Sequence, residues 1–291
     1  MGDFIQLVIA GTATGGCYAL AALGFTLLWQ ASGTINFALG EMVMLPAFSM
    51  LFFLNTGLPL GWAFLATLPL SMLVLGAGFK RAVVDPLARH GVIPLVIATL
   101  GLSIGFKQMA RIGFSAQVYT FPSVFPDTLL SVGGVRISAS DIGTVVAAIG
   151  LVLALQVFLN RTLTGRAMQA VAQNRDAATV LGIDVDRMVL YAFLINAALA
   201  TVTALLVTPV YLAKFDMGDT LGVKAFYAAI IGGFNNSRGA LLGGVLVGVM
   251  ENLVGAYISP GYKEAVALVL FLVVIVFRPQ GLLGRAEERK V

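Results

Sequence analysis

The chain has 291 residues, of which 59% are hydrophobic and 11% charged, against about 45–50% and about 25% in an ordinary soluble domain. That balance excludes a soluble globular protein, and a net charge of +4 spread through loops excludes a nucleic-acid binder, which gathers its basic residues into a stripe. A single cysteine, Cys17, and a single histidine, His90, exclude an internal disulfide and leave no Cys/His set for a metal.

From the N-terminus, the stretch from Phe4 to Gly40 contains no Asp, Glu, Lys or Arg, and neither does Met42 to Phe79. About 20 apolar residues suffice to cross a bilayer, so each run predicts one helix with a surplus or two shorter elements. The opening "MGDFIQLVIAGTATGG" lacks the basic start and small-residue cleavage site of a signal peptide, and is expected to be a retained first helix. Hydropathy places spans at Ile5 to Trp29, Phe37 to Leu54, Trp62 to Phe79, Val92 to Phe106, Ile142 to Leu159, Val189 to Leu212, Leu241 to Tyr257 and Ala265 to Phe277. A short apolar piece, Ala225 to Phe234, covers only half a bilayer at about 1.5 Å per residue. It is either a re-entrant half-helix or the end of a tilted span beginning near Leu221. The fold class is therefore all-α: one polytopic transmembrane bundle over residues 1–291, with eight or nine segments, one of them possibly re-entrant.

With nine crossings and a cytoplasmic tail, twelve of the eighteen Lys and Arg residues fall inside: Lys80, Arg81, Arg89, Arg161, Arg166, Arg175, Arg187, Arg238, Arg278, Arg285, Arg289 and Lys290. That follows the positive-inside tendency and puts the N-terminus outside, although Lys107 and Arg111 then lie on the outer side. A larger external loop spans 113–140, where "SVGGVRIS" predicts a hairpin around Gly133 and Gly134. Small residues spaced by four, at Gly101 and Gly105, Gly239 and Gly243, and Gly244 and Gly248, predict close helix packing within the subunit or across a dimer seam. Pro209 is expected to kink its helix near the outer end.

Three places carry polar residues that an apolar bundle does not need. The stretch "SGTINFALGEM" interrupts the first long run. A backbone break in hydrocarbon is tolerated only where protein or water satisfies the freed peptide groups, so Gly33 and Gly40 are expected to flank a break that Asn36 bridges. Glu41 then either caps the second helix from its first turn or faces the translocation path. A second acid, Glu251, stands beside Asn252, with Lys224 a conceivable partner; a water-filled vestibule would explain it equally well. The third place is the inner loop 160–188. Its "GRAMQAVAQN" portion predicts an exposed helix, and Asp176 is expected to cap a second short helix that Gly182 stops. Met168 and Val171 share a face, as do Ala177 and Val180 or Leu181, while Arg166 and Arg175 reach outward. Such a knob is either an ordinary interfacial loop or a coupling element that inserts into an ATPase.

The loop pattern G-R-A-x-x-A-V-A-x-N-x-x-A-A-x-x-x-G-I resembles the cytoplasmic loop of permeases of branched-chain amino acid ABC importers. "TINFALGEM", Lys224 to Asn252 ("KAFYAAIIGGFNNSRGALLGGVLVGVMEN") and "RPQGLLG" at Arg278 to Gly284 are similar to other blocks of that family. Pro46 departs from the small residue expected there. The resemblance implies an inner-membrane permease subunit working by alternating access, with leucine, isoleucine or valine as substrate; urea, short amides and other amino acids stay open. It implies a second permease, two ATPase subunits and an extracytoplasmic binding protein as partners. It further makes Gly165, Arg166, Met168, Ala170, Val171, Asn174, Arg175, Ala178 and Gly182 the coupling loop. No G-x-x-x-x-G-K-[ST] motif occurs, so this chain is expected to bind no cofactor, ATP and Mg being used by its partners. Two rivals remain: an ion-coupled secondary transporter recruiting Glu41 and Glu251, and a passive channel for a small neutral solute. An enzyme would need a catalytic set that one His and scattered acids cannot supply.

Overall fold

The computed structural model describes residues 2–33, 35–126, 128–132, 135–234 and 236–284. The expected hairpin glycines Gly133 and Gly134, and the basic tail residues Arg285, Arg289 and Lys290, lie outside the described residues. The helices are α1 (Gly2–Ser32), α2 (Leu39–Asn55), α3 (Leu60–Ala88), α4 (Val92–Phe114), α5 (Ala139–Arg161), α6 (Leu163–Gln173), α7 (Arg175–Val180), α8 (Val185–Tyr211), α9 (Met217–Gly232), α10 (Ser237–Tyr257) and α11 (Lys263–Phe277). Among the described residues seven helices are long and apolar enough to cross a membrane, α1, α3, α4, α5, α8, α10 and the segment Pro260–Phe277 that holds α11, with α2 a shorter apolar helix. The short piece at Ala225 to Phe234 is not an isolated half-helix. It continues from Met217 as the second half of the 16-residue α9, in which Asp219 and Lys224, the charges that break the hydropathy run, each have an ion-pair partner.

The chain packs as two units. One comprises Met1–Thr26, Phe125–Leu153 and Lys224–Val291; the other Leu27–Val124 and Ala154–Val223. In the first, glycine replaces side chains where backbones touch. A Cβ on Gly15 would sit 2.6 Å from the Gly244 carbonyl, and one on Gly11 2.6 Å from the Val249 Cα. Gly239 and Gly243 are occupied in the same way by the backbones of Gly232 and Ala228. The "RPQGLLG" segment folds back over the end of α9: Leu282 N donates to the Ile231 carbonyl at 2.8 Å and Leu283 N to Gly232 at 3.0 Å. This satisfies carbonyls that a helix end leaves orphaned. Phe25, Phe226 and Phe234 pack edge to face around that end, with centroids 5.4–6.2 Å apart. Antiparallel strands β1 (Leu129–Val132) and β2 (Val135–Ser138) form the expected hairpin.

In the second unit α3 is wound partly as a π-helix, over Met72–Gly78 and again over Lys80–Val84. The helix expected to end at Phe79 therefore runs on to Ala88, through Lys80 and Arg81. Lys80 is buried rather than in a loop, its ammonium 2.8 Å from Asp85 Oδ1 and 2.5 Å from Asp186 Oδ1. Each extra π-turn residue rotates the following face, and burial of the lysine stem is tolerated because two carboxylates meet its head. Helix α4 runs on past Phe106 to Phe114, since Lys107 pairs with Asp219 and Arg111 lies 5.6 Å over the Phe215 ring. Pro46 sits within α2 and Pro209 within α8, which ends two residues later at Tyr211.

Gly101 and Gly105 share the spacing of Gly244 and Gly248 but not their environment: nothing lies within 4 Å of a Cβ on either. They make no close packing within this chain. Gly248→Val is expected to lower stability by about 1–3 kcal/mol through overpacking against backbone, whereas Gly101→Ala should hold or raise it by up to about 1 kcal/mol through helix propensity. Thermal midpoints of the two purified variants check the contrast; equal losses would show that the glycine contacts are not limiting.

Candidate functional site

In the first unit the buried residues converge on Glu251. α10 carries Glu251 inward, α9 brings Lys224 and α1 brings Tyr18. Lys224 Nζ lies 2.9 Å from Glu251 Oε1, and Tyr18 Oη donates to Glu251 Oε2 at 2.8 Å. Lys224 Nζ also donates to Tyr18 Oη at 3.2 Å and lies 5.3 Å from the tyrosine ring centroid. The lysine and glutamate side chains are only 7% and 3% exposed, so with Tyr18 they form a closely packed buried set in which the two charges face each other. Tyr18 is absent from the sequence-derived residues; a lone tyrosine in an apolar helix, far along the chain from Glu251, gives no local signal. Asn252 turns back onto its own helix, its Nδ2 donating to the Gly248 carbonyl at 3.0 Å.

In the second unit the "SGTINFALGEM" break has the shape its residues require. α1 ends at Ser32, Gly33 adopts φ +67°, and α2 starts at Leu39. Asn36, buried, accepts from Ala38 N at 3.0 Å through Oδ1 and directs Nδ2 at the Met42 sulfur, 3.6 Å away. Phe37 N donates to Thr99 Oγ1 of α4 at 3.3 Å. Gly40 meets Gly218 and Gly222 of α9 so closely that a Cβ would strike the Gly218 carbonyl. This brings the first turns of α2 and α9 side by side. Glu41, in the first turn of α2 and only 2% exposed, has Ser103 of α4 and Asp219 of α9 as hydrogen-bonding side-chain neighbours. Lys107, one turn beyond Ser103, donates to Asp219.

The 160–188 loop forms two short helices in the second unit. Thr162 caps α6 by accepting from Gly165 N at 3.0 Å, and Gly165 is obligatory because a Cβ there would lie 2.5 Å from the Leu159 Cα. Asp176 is not the cap of α7. Asn174, extended at φ −158°, ψ 109°, accepts from Ala177 N at 3.0 Å, and Asp176 lies in the first turn, where its charge complements the helix dipole. Gly182, at φ +80°, closes α7 with its N–H on Thr179 and the next, from Ile183, on Ala178, a Schellman stop. Met168, Val171 and Ala178 are buried rather than displayed. The amphipathic face of α6 therefore serves folding, and the exposed apolar residues are Leu163, Val180 and Leu181, at 86%, 88% and 77%. Ala170 is half-buried. Arg166 Nε donates to the Asn160 carbonyl at 3.2 Å, and Arg175 turns back to the Ala31 carbonyl near the end of α1.

A family model described as "Branched-chain amino acid transport system / permease component" matches residues 7–275. The chain is 32% identical over 302 residues to the high-affinity branched-chain amino acid transport system permease protein LivH of Escherichia coli K12, covering 99% of this chain and 98% of that protein. It is likewise 32% identical over 305 residues to BraD of Pseudomonas aeruginosa, a permease protein of the same kind of system, with 99% and 98% covered. Among solved structures, PsaBC from Streptococcus pneumoniae in complex with Fab aligns with a TM-score of 0.50 at 15% identity, over 95% of this chain and 92% of that one. At that identity the likeness concerns the fold alone.

Removing one member of the closed set should be worse than removing the charge pair. Lys224→Met is expected to cost about 3–5 kcal/mol by stranding Glu251, and Lys224→Met with Glu251→Gln distinctly less. Tyr18→Phe should cost about 1.5–3 kcal/mol, the worth of a hydrogen bond to a charged group. Denaturation of the purified variants reads the order; a double variant less stable than Lys224→Met would contradict it.

Proposed function

The chain belongs to the branched-chain amino acid transport permease family, and from that membership we propose that it is the membrane subunit of an ATP-driven, binding-protein-dependent importer of leucine, isoleucine and valine. It is a multi-pass protein of the bacterial-type inner membrane, a transporter subunit rather than an enzyme. In this reading it pairs with a second permease and two cytoplasmic ATPases that use ATP and Mg, and receives substrate from an extracytoplasmic binding protein. The observation that carries the reading is the near full-length likeness to two permease proteins named for branched-chain amino acid transport.

The loop at 160–188 supports it by construction. Helix α6 is anchored by Met168 and Val171, which leaves α7 as a firmly held tip with Val180 and Leu181 bare. An apolar pair of that size, presented at the loop between α5 and α8, suits insertion into a groove of a soluble subunit. Force applied to the tip passes to α8 through the Asp184 cap, which accepts from Arg187 N at 3.1 Å, and to the end of α1 through Arg175. Movement of those helices would alternate access across the membrane. Urea, short amides or other amino acids are the alternative cargo within the same mechanism.

Affinity purification from native membranes in mild detergent should bring down two ATPases and a second permease, and liposomes holding that complex should accumulate leucine when supplied with ATP and binding protein. Recovery of this chain alone, with flux driven by an ion gradient, would replace the reading with a secondary transporter. In the reconstituted complex Leu181→Glu is expected to cut uptake by about tenfold, as loss of a central apolar contact does, while the membrane subunit stays folded. Undiminished uptake by that variant would remove α7 from the coupling role.

A further inference from the structure

Helix α4 carries Thr99, Ser103, Lys107 and Arg111 at intervals of four, one polar residue on each successive turn of a membrane-length helix. The row covers about 18 Å at about 1.5 Å per residue, and it opens progressively along its length. Thr99 is 1% exposed, the Lys107 side chain is 27% exposed, and Arg111 lies at the surface. Ser103 is the middle residue of the 23 in α4, so the row reaches from near the helix end past its middle.

The residues facing this row continue its chemistry. Asp219 takes the Lys107 ammonium while keeping 47% of its own side chain exposed. Behind it stands the buried Glu41, held by Ser103 and Asp219. Lys107 stands seven residues before the end of a membrane-length helix, where a pair this open is better placed against water or a polar ligand than against lipid. The contrast with Lys80 and Lys224 is direct, since those lysines are 2% and 7% exposed. Both of those lysine side chains are buried, although Asp186, one partner of Lys80, is itself 77% exposed, whereas in the Lys107–Asp219 pair the lysine as well as the carboxylate is partly open.

We propose that Lys107 and Asp219 recognise the head group of the substrate within the membrane, Lys107 taking the α-carboxylate and Asp219 the α-ammonium. This rests on the amino acid reading above and names the residues that would discriminate a zwitterion. A zwitterion opens the pair and gives each partner the opposite charge it loses, so no charge is left unanswered during the exchange. Glu41, with Ser103 beside it, adds a second carboxyl group next to Asp219 and so marks the side on which the ammonium docks. A neutral solute offers nothing to exchange, so the site disfavours urea and simple amides.

The test uses the whole importer in liposomes and the uptake of radiolabelled leucine. Lys107→Met combined with Asp219→Met removes both charges, an apolar replacement that ion pairs often tolerate. Uptake is expected to fall by about tenfold or more, the equivalent of losing one good polar contact, in a complex that still assembles. A fall of less than about fivefold, with assembly intact, overturns the proposal because a purely structural pair would be dispensable once replaced. If the double variant does not assemble, Lys107→Arg decides, since it keeps the ion pair but displaces the charge: a loss of about fivefold or more supports recognition and a smaller one overturns it. Wild-type complex that carries none of leucine, isoleucine or valine overturns the amino acid reading and this assignment together. Wild-type uptake that the variants match overturns the assignment alone.

Discussion

Hydrocarbon offers no hydrogen bonds, and among the described residues the break after α1 and the end of α9 are answered by protein for that reason. The break between α1 and α2 is the clearest case. Leaving the helix at Gly33 frees peptide groups that water would satisfy in a soluble protein. Here the Asn36 side chain takes the Ala38 N–H and the Thr99 hydroxyl takes that of Phe37. The same constraint explains the fold-back of Leu282 and Leu283 onto the end of α9. At these two places a helix stop is thus a tertiary contact, and the residues that make it are scattered along the sequence.

Glycine supplies the second half of the solution. Polar groups reach one another in a membrane bundle only where backbones come close, and a Cβ at Gly15, Gly40, Gly244 or Gly248 would prevent that approach. In the first unit the contact of Gly15 with Gly244 sets α1 against α10, and Tyr18 and Glu251 lie on those same two helices and meet at 2.8 Å. In the second unit Gly40 against Gly218 places Glu41 beside Asp219. Close packing and charge placement are one arrangement, so a substitution at such a glycine is expected to disturb a polar cluster one turn away.

Much of the architecture was legible in the sequence because bilayer thickness converts directly into run length. The spans and the turn at Gly33 to Gly40 follow from rules that act on local composition, whereas Lys224 was only a conceivable partner for Glu251 until the two helices brought them together. What escaped was nonlocal or decided between near equals. Asn174 and Asp176 are both good capping residues, and only the extended backbone at Asn174 selects it. Met168 and Val171 form an apolar face by spacing, but spacing cannot say whether that face meets solvent or the bundle. Gly101 and Gly105 repeat the pattern of Gly244 and Gly248 while contacting nothing, since a small residue permits packing without causing it. The hydropathy run ended at Phe106 because Lys107 was counted as a free charge, and its partner lies 112 residues away.

The lysines of this bundle also separate two uses of a charge in a membrane. Lys224 has both Glu251 and Tyr18 as partners and almost no exposed surface, so any competing group would have to break a closed set before gaining anything. Such a set holds helices together and resists exchange. Lys107 has one strong partner, and that partner is nearly half open. An arriving pair of opposite charges could replace the contact without first unpacking the protein. Accessibility, rather than charge itself, separates the buried Lys224 from the partly open Lys107, and it is on that difference that the proposed recognition of cargo by Lys107 and Asp219 rests.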